Sequence, residues 1–164
     1  MRKTNKFLAG SIVSLILLFA LPIQAQERPA TSKSQLVYLP VYSHIYHGNY
    51  AASGKAEKLL LSALVSIRNA DPKRPIRVTS ARYFNTEGKM LREFVPTPKV
   101  VPAFGTLELF VERHDESGGS GANFAISWDA DSPVNTPVVE AVHVFIDYTR
   151  SVIFTTSGKA ISAE

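Results

Sequence analysis

The chain contains no cysteine and a single tryptophan among its 164 residues. The lack of cysteine excludes a disulfide framework, a thiolate metal site, a cysteine nucleophile and a lipid-modified N-terminal cysteine. Internal repeats and long low-complexity tracts are also absent. Helical periodicity is missing after the N-terminal segment, apart from residues 51–64, which are compatible with a short helix. This length, with 45% hydrophobic residues, predicts one globular domain.

The N-terminal segment has the pattern of a secretory signal peptide. Its first six residues carry three positive charges, an apolar run follows over residues 7–21, and a small-residue cleavage pattern ends at Ala25. The run is shorter than the ~20 residues that a membrane span requires. We therefore predict a helical signal peptide over residues 1–25 and export to the periplasm or secretion, with retention as an uncleaved anchor as the alternative.

The basic balance of the chain lies mostly in this segment. The full chain has 18 basic and 14 acidic residues, a net charge of +4, and removal of residues 1–25 leaves 15 basic and 14 acidic residues. Lys73, Arg74 and Arg77 form the one remaining basic cluster, within a predicted turn. Nucleic-acid binding needs a larger basic surface, so we expect no nucleic-acid partner and no stable membrane insertion after cleavage. The sequence indicates no cofactor.

The mature chain begins with a polar stretch over residues 26–34, predicted as a flexible leader. Apolar residues then alternate with polar ones in about eight short segments, which turn signals separate at intervals of 8 to 12 residues. This pattern predicts an all-β fold, a single immunoglobulin-like antiparallel β-sandwich of about eight strands over residues 35–161. Trp128 is expected in its core, whereas His143 is expected to face away from it.

An aromatic segment over residues 38–50 is the strongest candidate for recognition. Pro40 cannot donate to a sheet ladder, which indicates an edge strand. One phase of that strand carries four aromatic side chains, which we predict to contact a ligand together with His47. These four residues are Tyr38, Tyr42, His44 and Tyr46.

The glycine-rich stretch Ser117-Gly118-Gly119-Ser120-Gly121-Ala122 has nearly the spacing of a nucleophile elbow. A strand pattern follows it, however, where the elbow requires a helix. We therefore predict a hairpin loop that touches a ligand through Ser120 and Asn123, rather than a serine nucleophile.

Metal and acid–base sites are weaker candidates. His44, His47, His114 and Asp115 are the possible ligands, but residues 44 and 47 lie on opposite faces of an extended chain. Asp129 and Asp131 are predicted to lie in a solvated turn, since Pro133 and Val134 disrupt their resemblance to a calcium loop. No catalytic residue is predicted.

Four blocks of the sequence resemble those of the bacterial Domain of Unknown Function 3124 family. They are Tyr38-x-Pro40-Val41-Tyr42-Ser43-His44-Ile45-Tyr46, Ser66-Ile67-Arg68-Asn69-x-Asp71-Pro72, Ser117-Gly118-Gly119-Ser120-Gly121-Ala122-Asn123-Phe124 and Pro133-Val134-Asn135-x-Pro137-x-x-Glu140-Ala141. The chain is also loosely similar to immunoglobulin-like modules of exported bacterial proteins. These resemblances imply an exported β protein and no particular activity.

The sequence favours a non-enzymatic module that binds an envelope protein or a small-molecule ligand through the aromatic edge strand. Two alternatives stay open. One is a metal-dependent or serine hydrolase that uses the histidine and acidic residues. The other is a structural subunit of an envelope assembly, which docks by strand addition at the edge that carries Pro40.

Overall fold

A computed structural model describes residues 30–161 of the chain. The predicted signal peptide and residues 26–29 of the predicted leader lie outside this range. The described part consists of strands and one 3₁₀ turn at Glu116–Gly118. The strands are β1 Thr31–Pro40, β2 His44–Tyr50, β3 Ala56–Leu60, β4 Ser62–Arg68, β5 Ile76–Phe84, β6 Met90–Glu93, β7 Lys99–Val101, β8 Thr106–Val111, β9 Asn123–Asn135, β10 Val138–Ile146, β11 Ser151–Ser157 and β12 Lys159–Ile161.

All the strand pairs are antiparallel, and they form three sheets. A six-stranded sheet has the order β12-β1-β9-β5-β6, with β7 also paired to β5, and a four-stranded sheet has the order β11-β10-β4-β8. β2 and β3 form a separate hairpin. The predicted all-β fold is confirmed, with twelve strands in the described residues instead of about eight. The additional strands are the β2–β3 hairpin and the three-residue strands β7 and β12. Within residues 30–161, no helix has the length and apolar character needed to cross a membrane.

One hydrophobic core lies between the two larger sheets. The predicted alternation is confirmed in both sheets: Val65 and Ile67 of β4 and Phe124 and Ile126 of β9 are buried in the same cluster. Trp128 follows in the same phase of β9 and is 1% exposed. Burial of such side chains contributes roughly 1.5 to 3 kcal/mol each, so alternate residues on facing strands provide the main stabilisation.

The edge-strand prediction is wrong, because β1 lies inside the six-stranded sheet between β12 and β9. Pro40 is tolerated because it is the last residue of β1, where the ladder ends. The strand also begins earlier than expected. Thr31 and Ser32 pair with Asn135 and Val134, so the predicted flexible leader already contributes to the sheet.

Two further local predictions need correction. Asp129 and Asp131 lie on β9, not in a turn, and Arg77 of the neighbouring strand forms ion pairs with both at 2.7 and 3.4 Å. His143 faces the core and is fully buried. Alternation predicted the wrong direction for this side chain because β10 carries apolar residues on both of its faces.

A buried amide holds the loops at the end of β4. The Asn69 amide nitrogen donates to the carbonyl oxygens of Arg74, Val101 and Pro102 at 2.7, 3.2 and 3.0 Å. Its Oδ1 accepts from the backbone N–H of Asp71, whose own carboxylate accepts from the Asn135 N–H. This network therefore ties β4 to the loop before β8 and to the end of β9.

We expect Asn69→Ala to lower the free energy of unfolding by about 2 kcal/mol, since it leaves buried carbonyl groups without a donor. Urea denaturation measures this change. The control is Asn85→Ala, because Asn85 makes similar turn hydrogen bonds to Glu87 and Lys89 in an exposed loop. If Asn85→Ala lowered the free energy of unfolding as much as Asn69→Ala does, the buried hydrogen bonds of Asn69 would not be the cause of the loss.

Candidate binding site

The two segments that sequence patterns single out for ligand contact meet in the structure. The Ser43 backbone N–H, just before β2, donates to the Gly119 carbonyl at 3.0 Å. On the other strand of the hairpin, Lys58 Nζ lies 3.2 Å from Oε2 of Glu116, which directly precedes the glycine-rich loop. We call this region the hairpin–loop junction and define it by His44, Tyr46, Lys58 and Glu116.

His44 lies at the base of the hairpin–loop junction. It is 5% exposed, and neither ring nitrogen has a hydrogen-bond partner within residues 30–161. Burial lowers the pKa of His44 below its usual 6.5, the positive charge of Lys58 lowers it further, and Glu116 opposes both effects. The imidazole is therefore neutral at pH 7, with one donor and one acceptor nitrogen.

Tyr46 covers this imidazole. The two rings make an edge-to-face contact with their centroids 5.0 Å apart, and Tyr46 is 56% exposed. Lys58 is its cross-strand neighbour, so Tyr46 and Lys58 share one face of the hairpin. His47 belongs to the opposite face, where its Nδ1 lies 3.6 Å from Glu57 Oε2. Tyr50, at the hairpin tip, is 79% exposed.

The glycine-rich loop is packed too closely for larger residues. Gly118 and Gly121 bind Thr86 of the β5–β6 turn: the Gly118 carbonyl accepts from the Thr86 N–H at 2.9 Å, and Gly121 N–H donates to its Oγ1 at 3.0 Å. Gly119 has a φ of +76°, a conformation that favours glycine. Ser120 precedes the strand β9 instead of a helix, so the loop lacks the structure of a nucleophile elbow.

The predicted aromatic stripe is split among different surroundings. Tyr38 lies on β1, where it pairs with Ala125 and Lys159 of the six-stranded sheet. Tyr42 lies after the end of β1. Its ring makes edge-to-face contacts with His143 and Phe154, with ring centroids 5.6 and 5.8 Å apart. The stripe is split because the chain bends after β1, which separates Tyr38 and Tyr42 from β2.

Asn123 is the first residue of β9 and pairs with Pro40 and Phe84, so it lies beside the loop but within the six-stranded sheet. His114 is exposed before the 3₁₀ turn, and the Asp115 carboxylate caps that turn by accepting from Ser117. In the described part of the chain, no three histidine or acidic side chains come together as a metal-binding group.

Lys58 was not identified from the sequence. The sequence does not predict that Lys58 is a neighbour of Tyr46, because residues 51–64 are also compatible with a helix. The register of the β2–β3 hairpin places Lys58 opposite Tyr46. A separate open groove of about 600 Å³ lies along β12, β1, β9 and β5, lined in part by Ser34, Thr79 and Ser127. It contains none of the predicted ligand residues.

The two packed sheets and the hairpin–loop junction define a small all-β protein with one surface-exposed candidate site. The chain belongs to the family described as "Protein of unknown function (DUF3124)", whose model matches residues 34–161. No curated protein matches the chain. A crystal structure described as that of Thermotoga maritima 1070 is similar over 78% of this chain and 93% of its own, with 10% identity and a TM-score of 0.43.

The four sequence blocks that resemble the family meet in pairs at the two ends of β4. At its start, the Leu61 N–H donates to Ser43 of the first block, which in turn binds Gly119 of the third block. At its end, the Asn135 N–H of the fourth block donates to the Asp71 carboxylate of the second block, and Asn69 Oδ1 accepts from the Asp71 N–H. The blocks therefore correspond to two hydrogen-bonded junctions between distant segments.

Proposed function

We propose that this protein is an exported, non-enzymatic binding module of the cell envelope. In this proposal it recognises an uncharged, hydroxyl-rich ligand, a glycan, at the hairpin–loop junction. The observation that carries the proposal is the exposed Tyr46 ring over a buried imidazole, His44, whose two nitrogens have no partner among the described residues. The signal-peptide pattern supports export.

The charges of the hairpin–loop junction favour a neutral ligand. Lys58 and Glu116 form an ion pair with each other, and His44 is uncharged at pH 7. An ionic ligand would therefore find no unpaired charge of opposite sign among these side chains. The Lys58 ammonium and the Glu116 carboxylate can each still form hydrogen bonds with the hydroxyl groups of a ligand.

The polar and aromatic groups match the two faces of a sugar. The exposed Tyr46 ring offers an apolar surface for stacking, while its hydroxyl and the imidazole supply hydrogen bonds. A buried polar group without a partner costs about 1 to 3 kcal/mol, and a ligand hydroxyl that reaches His44 removes this cost. In this proposal, the Tyr46 side chain rotates when the ligand binds, so that a ligand hydroxyl reaches the imidazole.

Binding is tested by NMR on the His44 ring resonances during titration with chitooligosaccharides, a neutral glucan oligosaccharide and an acidic peptide. We expect a neutral glycan to shift these resonances and Tyr46→Ala to weaken its binding by about tenfold or more. The control is Tyr38→Ala, which removes another predicted aromatic residue from a different sheet and is expected to change the affinity by less than about twofold.

Equal weakening by both variants, or binding of the acidic peptide alone, would overturn the glycan proposal. The same preparation tests export, because protein recovered from its host is expected to begin at Gln26. Recovery of the chain with residues 1–25 intact from the cytoplasm would contradict the exported role.

A further inference from the structure

β11 is an open edge of the four-stranded sheet. Among the strands of residues 30–161, it pairs with β10 alone, in a register of seven residue pairs without a bulge. Its inward-facing residues Val152, Phe154 and Thr156 are only half-buried, whereas Val139 and Ala141 of the adjacent strand are buried. No described strand therefore covers the outer side of β11.

The composition of β11 does not protect this edge. Its seven residues, Ser-Val-Ile-Phe-Thr-Thr-Ser, include no charge, no proline and no glycine, and β-branched and aromatic residues favour strand pairing. Natural proteins usually protect open edges with charges, bulges or short strands. The other edges of the two larger sheets follow this rule. β8 carries Glu108, β6 carries Arg92 and Glu93, and the three-residue strands β7 and β12 carry Lys99 and Lys159.

The strand is complementary to itself in the antiparallel direction. If a two-fold axis passes through Phe154, Ile153 lies opposite Thr155 of the second copy, and Ser151 lies opposite Ser157. No pair places like charges together, and each joins uncharged residues that are compatible with a sheet. A symmetric dimer uses one surface patch twice, which this arrangement satisfies.

Exposed apolar side chains continue from this edge across the outer face of the sheet. Ile153 is 60% exposed, and its cross-strand neighbour on β10 is Val144. Ile146, in the same phase of β10, is also exposed. Pairing of two β11 strands would bring the apolar groups of the two copies together and cover the edge of the Phe154 ring.

We propose that two copies of this protein pair through β11 as a symmetric antiparallel dimer, which joins their four-stranded sheets into one sheet of eight strands. The occupant of the open edge is a second copy of the chain. This interface lies apart from the hairpin–loop junction and does not depend on the proposed glycan binding.

The test is sedimentation equilibrium of the purified protein over a concentration series up to about 1 mM. We expect a dimer for the natural sequence. The variant I153K/T155K places lysine opposite lysine twice, and we expect it to raise the dimer dissociation constant by at least about tenfold. The variant I153K/T155E places lysine opposite glutamate in the proposed register, so we expect it to remain a dimer.

Phe110→Lys is the control, since Phe110 is an exposed residue on β8, at the other edge of the same sheet. It is expected to leave the dimer unchanged. All variants alter exposed positions, and their cooperative thermal unfolding verifies that they fold. A monomer for the natural sequence at every concentration, or equal dissociation of the two double variants, would overturn the proposal.

Discussion

Replacement of Gly118 by alanine is expected to lower the free energy of unfolding by about 3 kcal/mol. A Cβ atom at this position would lie 2.7 Å from Tyr83 Cζ, 2.8 Å from Ala122 Cβ and closer still to the Tyr83 hydroxyl oxygen. That hydroxyl forms a buried 3.0 Å hydrogen bond with Ser43. The substitution therefore forces apart the glycine-rich loop, β5 and the segment before β2. Urea denaturation measures the loss.

Two variants identify the cause of this loss. In a Tyr83→Phe background, the hydroxyl is absent, so Gly118→Ala is expected to cost about 1 kcal/mol less than in the natural sequence. Gly54→Ala is the control, because Gly54 also lies in a loop, at the hairpin tip, but a Cβ atom added there meets only open space. Its φ of +76° limits the expected cost to about 1 kcal/mol. Equal losses in the two backgrounds would exclude the contact with Tyr83 as the cause.

The stability of the protein is expected to fall by about 2 kcal/mol between pH 7 and pH 5 because of His143. Burial lowers the pKa of this histidine from 6.5 to about 4, against a smaller opposing effect of the Phe154 backbone. The unfolded chain therefore binds a proton below about pH 6.5 that the folded protein excludes until about pH 4. The stabilisation is complete above pH 6.5, and the total loss is about 3 kcal/mol once the pH has fallen through 4.

The contacts of His143 explain why it stays neutral. Its ring stacks on Phe154 with centroids 4.6 Å apart, and its Nε2 accepts a hydrogen bond from the Tyr42 backbone N–H at 3.1 Å. A protonated ring would lose this acceptor. His44, whose pKa is also lowered, adds a loss of the same sign. At pH 5 and above, most carboxylate groups stay ionised, so they contribute little to this change.

His143→Gln separates the contributions, because glutamine can accept the Tyr42 hydrogen bond but does not titrate. Urea denaturation at pH 7 and pH 5 is expected to show a pH-dependent loss smaller by about 2 kcal/mol than in the natural sequence. The exposed His114→Gln variant serves as the control and is expected to keep the full loss. If His143→Gln lost as much stability between pH 7 and pH 5 as the natural sequence, His143 would not be the source of the pH dependence.

Strand alternation predicts the buried face where the two faces of a strand differ in polarity. Alternation identified the buried faces of β4, β8 and β9, because one face of each strand is apolar and the other carries polar residues. It misplaced His143, because Val142 and Val144 on the outer face of β10 are as apolar as its inner face. The strand period alone cannot decide the direction of a side chain when both faces are apolar.

The sequence also predicted the candidate site only in part. The sequence identified His44, Tyr46 and the glycine-rich loop by residue type, but it placed Tyr38 and Tyr42 beside them as one stripe. The bend after Pro40 directs these tyrosines to other parts of the fold. Lys58 joins the junction through hairpin register, and Gly119 through a backbone hydrogen bond to a segment about 76 residues away in sequence.

The sequence alone therefore determined the all-β class, the core of alternating residues and the turns marked by proline and glycine, because these depend on neighbouring residues along the chain. The tertiary structure decided which strands lie inside a sheet and which remain open, as β1 and β11 show. It also decided which polar groups meet at the hairpin–loop junction. Both depend on pairing between distant segments, which local spacing does not encode.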